Sequence, residues 1–424
     1  MLIEFSVSNV LSFSEKTTFS MRAGKITKKH KNHVRKIGGE NVVRGAALYG
    51  ANASGKSNLL KCLAYVERMM ISNSCACVAG RQFKMGNGIC PVMSFEITYE
   101  YNEHVFRYEV DTDGAEVLRE TLVDIGQGED VLYERTSQKM SLGKRLSEYS
   151  WYENRTCRSD AFFLMKLLED GIRENRKTIP ESKLMLDACW GMRQFLVIDA
   201  TRDTLIGDKF YAKLKEEEYR TYLVALLKWA DMGIDDVGCD KLSDRDAEMI
   251  IAKYKGVIPG SLSDGWSKVV KDGPSYYLLM SDDGRNITVK EICCKHGNRW
   301  FRAGDESQGT CKLIQLSSML FQLARGKLVW CVDEFDSKLH TILTRELLKQ
   351  FMDLSETKSQ LIVTLHDTNQ MTHDIWRTDE ICLVSKNKKG VSKLHRLDSF
   401  SPRFDKKLIK GYFNGDYGAL PNIH

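Results

Sequence analysis

The sequence predicts an α/β fold with an antiparallel β subdomain and a helical insertion. Three observations lead there. A strand–loop–helix is built around Gly50-Ala51-Asn52-Ala53-Ser54-Gly55-Lys56-Ser57. A block of alternating residues from Val92 to Glu120 reads as consecutive antiparallel strands. The stretch from about Ser147 to Lys228 turns helical. The 424 residues suffice for two or three lobes around a sizeable core. They divide by pattern into 1–145, 146–235 and 236–424.

In chain order, two short strands come first, Leu2 to Val7 and Thr17 to Met21, around Asn9 and Phe13. Lys25, Lys28, Lys29, Lys31, Arg35 and Lys36, with His30 and His33, then form a basic, turn-rich run that reads as a solvated loop. Arg44 to Tyr49 is a small-apolar segment expected as a buried strand. Asn58 to Val66 is apolar at helical spacing. Between them the loop satisfies G-x-x-x-x-G-K-[ST]. In that setting its backbone N–H groups and the helix N-terminus wrap phosphates. Lys56 then reaches the β- and γ-phosphates, and the Ser57 hydroxyl holds Mg²⁺.

The antiparallel block is punctuated by Asp113-Gly114, the helical stretch is densely charged from Lys213 to Arg220, and 235–300 returns to short strands. In the last third, Lys327 to Val332 is an apolar strand ending in Asp333-Glu334. Asp333 is placed to hold Mg²⁺, and Glu334 to orient the water that attacks the γ-phosphate. Ser359 to Leu365 is a second apolar strand, ending in His366, which at that place can hydrogen-bond the γ-phosphate. Asp305-Glu306-Ser307-Gln308-Gly309-Thr310 opens a helix whose Leu313, Leu316, Leu320 and Leu323 share one face. A helix start with Ser and Gly offers an anion its N–H groups and dipole.

Composition removes other classes. With 42% hydrophobic and 28% charged residues the chain is an ordinary globular one, and a net charge of +5 with pI near 8.4 permits nucleic-acid contact without demanding it. No apolar run approaches the roughly 18 residues of a membrane span, and the N-terminus lacks a signal-peptide layout, so a cytoplasmic location is expected. Twelve cysteines are scattered rather than paired for zinc. Cys62, Cys331 and Cys382 lie in apolar segments as small core residues.

The order of these pieces (phosphate loop, long insertion, Ser-x-Gly helix start, strand with Asp-Glu, strand with His) resembles that of ABC-type ATPases. More specifically, the chain resembles the RloA/AbiL-type ABC-superfamily ATPases of the AAA family, related to OLD, RecF and SMC heads. The resemblance rests on Asn9-Val10-Leu11-Ser12-Phe13, Leu48 to Leu59, Glu306 to Thr310, Val332-Asp333-Glu334-Phe335-Asp336 with Leu339-His340, and Gly411 to Pro421. Thr341 stands where the family usually has Pro. The signature reads Glu-Ser-x-Gly-Thr rather than the transporter form.

This resemblance implies an ABC-type (RecF/SMC/OLD-like) ATPase head that hydrolyses ATP with Mg²⁺. It also implies a head-to-tail dimer. Gly50, Asn52, Ser54, Gly55, Lys56, Ser57 and Asn58 of one subunit meet Ser307 and Gly309 of the other, with Ser57 and Asp333 on the metal and Lys56, Glu334 and His366 catalytic. The expected role is a switch or sensor in bacterial anti-phage defence, of the abortive-infection kind, that controls a separate nuclease or toxin. The stretch after His366 is too short for a nuclease domain of its own. The alternative is a RecF/SMC-like repair or recombination ATPase acting on DNA, and direct nucleic-acid contact stays open. No membrane partner is expected. Gln82 is the residue offered for the Q-loop.

Overall fold

The computed structural model describes all residues except 26–28, 86–89, 127, 138, 148–156, 174–179, 200–212, 274, 355–356, 403–406 and 421–424. The chain forms two compact units, Met1–Asp199 with Gly326–Phe335 and Leu348–His424, and Ala200–Arg325 with Asp336–Leu347. Both are discontinuous, because the parallel sheet of the first draws strands from both sides of the second. The boundaries therefore do not fall at 145 and 235, where the sequence pattern changes.

In the first unit a seven-stranded antiparallel sheet contains β1 (Leu2–Ser8), β2 (Thr17–Ser20), β6 (Met93–Tyr101), β7 (His104–Thr112), β8 (Val117–Asp124), β9 (Asp130–Thr136) and β10 (Met140–Leu142), in the order β10-β9-β8-β7-β6-β1-β2. Alternation drives it: Phe106, Tyr108 and Val110 of β7 are buried, while Arg107 and Glu109 face outward and pair with each other. Asn102 and Glu103 join β6 to β7 with φ of 49° and 72°, the backbone twist that a two-residue hairpin requires. Fully buried Glu120 accepts from the hydroxyls of Tyr108 and Tyr133 and from the N–H groups of Phe163 and Leu164, so one carboxylate ties the sheet to the start of α2 (Phe163–Arg173).

The second sheet of this unit contains β5 (Gly45–Tyr49), β11 (Phe195–Asp199), β17 (Val329–Asp333), β18 (Gln360–Thr364), β19 (Ile381–Lys386) and β20 (Ser392–Arg396), in the order β11-β17-β18-β5-β19-β20. Every pairing is parallel except β19 with β20. All five residues of β5 are buried, as expected of a central strand covered on both faces. Helix α1 (Lys56–Ser72) packs beside β11 and β17, and α3 (Pro180–Met192) lies against β6. A small hairpin, β3 (Val34–Ile37) with β4 (Glu40–Val43), and the short α8 (Leu408–Phe413) complete the unit, together with the C-terminal part of α7 (Thr341–Asp353). The two sheets are joined by Gln360, whose amide accepts from Leu2 N and donates to the carbonyls of Leu2 and Val43.

The second unit holds α4 (Glu217–Trp229), α5 (Asp244–Lys253) and α6 (Gln308–Arg325). Its sheet consists of β12 (Asp236–Lys241), β13 (Trp266–Asp272), β14 (Ser275–Ser281), β15 (Thr288–His296) and β16 (Arg299–Arg302), in the order β12-β15-β14-β13 with β16 beside β15. Helices α4 and α6 meet through Tyr219, which bonds Ser317 at 2.7 Å and sets its ring edge-on to Phe321.

Two elements differ from the sequence expectation. The helical stretch contains β11, because Phe195–Asp199, apolar in its first four residues, finds a parallel partner in β17 that local pattern does not reveal. The strand-rich 235–300 block contains α5, capped by Ser243, which accepts from Asp246 N. The basic run is not a free loop where it is described. Arg22 pairs with Glu4 and Glu40, Gly24 N donates to Asp379, and Arg35 sits opposite Val42 in the β3–β4 hairpin. Lys28 lies outside the described residues.

Candidate nucleotide site

The phosphate loop leaves the C-terminal end of β5, where ligands of parallel sheets bind. Its backbone is set by φ of 151° at Gly50, 61° at Ala53 and 118° at Gly55. No side chain fits at two of these positions. A Cβ on Gly50 would stand 2.1 Å from the Val384 carbonyl, and one on Gly55 would stand 2.3 Å from Ser392 Oγ. Gly55 is also the N-cap of α1, and no described side chain caps that end. The first-turn N–H groups are thus presented to an anion.

Lys56 is buried, and its ammonium donates to the carbonyls of Gly50 (2.7 Å) and Ala51 (3.2 Å). The buried Ser54 hydroxyl has no hydrogen-bond partner among the described residues. A cationic amine, an orphaned hydroxyl and an uncapped helix start inside one loop fit a polyphosphate. Ser57 is half-buried at the first turn, as a metal-holding hydroxyl must be, and Asn52 is exposed at the loop crest. Asn58 donates to Ser12 Oγ at 2.8 Å, which ties the helix to the Asn9–Phe13 segment.

Strand β18 lies between β5 and β17, so Asp333, Glu334 and His366 reach the same sheet edge as the loop. Asp333 ends β17. Glu334 turns out of the strand with φ of 48°, so the two carboxylates diverge through a left-handed residue rather than through simple strand alternation. Thr364 holds both: its hydroxyl donates to Asp333 Oδ1 (2.6 Å) and accepts from Glu334 N (2.7 Å), and its carbonyl accepts from Phe335 N. His366 Nε2 stands 3.7 Å from Glu334 Oε1, both partly exposed. Donors and acids of this kind fit Mg²⁺ coordination by Ser57 and Asp333.

Three residues of this site were not singled out from sequence. Thr364 was one. Ser392 Oγ donates to Ser54 O (2.6 Å) and lies 2.8 Å from Ser12 Oγ, while its N–H donates to Ser12 O. Ser12 itself is the third. Only its place in the Asn9–Phe13 motif hinted at a role. Gln82 forms an isolated bridge with Val10, and its buried Oε1 has no bonded partner among the described residues.

Ser307 and Gly309 lie in the second unit, at the start of α6. Ser307 Oγ accepts from Thr310 N (3.0 Å) and bonds the Thr310 hydroxyl (2.8 Å), the geometry of an N-cap. A Cβ on Gly309 would come within 2.9 Å of the Lys338 carbonyl. A cavity of about 770 Å³ is lined there by Trp229, Ser307, Gly309, Lys338, His340 and Glu346. Glu306 takes a 2.6 Å hydrogen bond from His296, and that bond raises the imidazole above its ordinary pKa.

The family model described as "AAA domain, putative AbiEii toxin, Type IV TA system" matches residues 46–171 and 215–371, more than half of the chain. No curated protein is a significant match. Among solved structures, the chain is similar to an Smc head bound to the C-terminal winged-helix domain of ScpA, at 15% identity and TM-score 0.45, over 94% of this chain and 99% of that one. It is also similar to the SMC head domain from Thermotoga maritima (14%, TM-score 0.38, 93% and 98%). A third is an Smc head with an extended coiled coil bound to the C-terminal domain of ScpA from Pyrococcus furiosus (14%, TM-score 0.40, 94% and 97%). No described helix is long and apolar enough to cross a membrane.

Proposed function

The chain belongs to the AAA-domain family with the AbiEii-toxin, type IV TA description, and on that premise we propose that it is an ATP-hydrolysing dimeric switch of an anti-phage defence system that controls a separate effector. The observation that carries the reading is the single sheet edge at which Lys56 and Ser57, Asp333 and Glu334, and His366 converge, with Thr364 bonded to both members of the acidic pair. Lys56 and the loop N–H groups bind and orient the phosphates. Ser57 and Asp333 would hold Mg²⁺, which would supply charge neutralisation to the phosphates. Glu334 accepts a hydrogen bond from the attacking water and aligns it. His366, beside Glu334, donates toward the terminal phosphate.

The dimer is supported by chemistry that each unit displays separately. An uncapped helix start and a lysine take the phosphates from one side. The Ser307–Gly309 helix start differs in that Ser307 caps it through Thr310 N, and it would offer a second copy's nucleotide the Ser307 hydroxyl and the helix dipole. ATP then closes the pair and hydrolysis reopens it, changing what an effector protein can contact.

The test is a pair of substitutions. Lys56→Ala abolishes binding of a fluorescent ATP analogue. Glu334→Gln keeps binding but lowers turnover by about 10²–10⁴-fold, and with ATP it accumulates as a dimer in light scattering. Wild-type turnover by Glu334→Gln sinks the catalytic assignment.

A further inference from the structure

The β19–β20 hairpin carries charge that the nucleotide site does not use. Between Ile381 and Arg396 the chain has Lys386, Lys388, Lys389 and Lys393 and no Asp or Glu. All four lysines are exposed, and no described carboxylate pairs with any of them. Their turn is fixed. Asn387 Oδ1 accepts from Lys389 N (2.9 Å) and Val391 N (3.0 Å), Gly390 N donates to Asn387 O, and Gly390 takes φ of 74°. The cations therefore project from a scaffold of set spacing.

That scaffold abuts the phosphate loop. Strand β19 runs parallel to β5, so the turn leaves the sheet at the same edge. The carbonyl of Val384 crowds Gly50, and Ser392, next to Lys393, holds the Ser54 carbonyl and Ser12. We propose that this hairpin contacts the phosphate backbone of a nucleic acid and passes that contact to the nucleotide loop through Ser392. The strand is then the signal the switch reads.

Spread-out cations suit a row of phosphates better than one. Lys388 and Lys389 sit in the turn, and Lys386 and Lys393 on opposite strands. His395, on the same strand face as Lys393, stands 6.2 Å from the exposed Phe400 ring, an aromatic surface for unpaired bases. An anionic membrane is the weaker fit, since the apolar side chain at the turn is a lone exposed Met85 beside Gly390 rather than an apolar face. The transmission through Ser392 rests on the switch reading; the contact itself does not.

The test uses the full chain and fluorescence anisotropy with a labelled single strand, its duplex, and anionic vesicles as a third arm. Wild type is expected to bind nucleic acid with salt-dependent affinity. Lys388→Glu with Lys389→Glu, both at exposed positions, should weaken that binding about tenfold or more and flatten the log-log salt slope by about 1–2, with fluorescent-ATP affinity unchanged. Ser392→Ala should keep strand affinity and lose the effect of the strand on ATP affinity. Wild-type strand binding by the double variant overturns the contact, as does wild-type binding to vesicles alone. If wild type binds strands but not the ATP analogue, the switch reading falls and the strand comparison still decides the hairpin.

Discussion

Thr364 shows how little chemistry it takes to aim two carboxylates. Its one hydroxyl donates to Asp333 and accepts from the backbone of Glu334. Thr364→Val keeps the shape and removes both bonds. The expected outcome is a loss of about 1 kcal/mol in urea unfolding, since a half-buried carboxylate oxygen loses its donor. In steady-state assays kcat falls while KM for ATP changes little, because the loop that binds phosphate is untouched. A variant with full kcat shows that Asp333 needs no such anchor. At this scale the motif residues were legible in the sequence, because Lys56, Ser57, Asp333 and Glu334 are fixed by spacing and flanking strands. Thr364 and Ser392 were not. Each acts on residues about 30 to more than 300 positions away, and an isolated Thr or Ser in a strand looks like filler.

At the scale of elements, the start of α6 depends on a pair just upstream. His296 is raised by its hydrogen bond to Glu306, aided by the Glu306 charge, the Gly233 backbone and Asp235, while Phe301 meets its ring edge-on. A histidine with a raised folded-state pKa contributes stability that is present below its unfolded value near 6.5 and is lost as pH rises through the folded value. His296→Gln is therefore expected to lower the melting temperature more at pH 6 than at pH 8. An equal drop at both values means the imidazole acts only by its shape. Strand β11 illustrates the limit of reading elements from sequence. Phe195–Asp199 is short and apolar in its first four residues, and only its pairing with β17, more than a hundred residues later, makes it a strand. The antiparallel meander was legible because β6, β7 and β8 pair with their immediate neighbours across short turns, and β7 alternates along most of its length.

For the whole molecule, the discontinuous units predict separable cores. Leu122 is fully buried in the first, and Leu279 in the second beside Ile250, Val270 and Val289. Leu122→Ala and Leu279→Ala should each cost about 2–5 kcal/mol. Each should shift a different transition in denaturant unfolding followed by hydrogen exchange. A common shift of one transition means the two units unfold as one. The fold class and the order of its motifs were legible at this scale; the unit boundaries were not, because contacts between distant segments draw them.

The position of β5 has a consequence for how the protein is made. Its neighbours on either side, β18 and β19, lie more than 300 residues downstream. A ribosome therefore releases the GANASGKS segment long before the strands that shape it exist, and the closing of these distant pairs is a late, slow event. Until then the nascent chain carries the loop without its rigid frame. Competence to engage a triphosphate thus arrives only after β18 and β19 have been made.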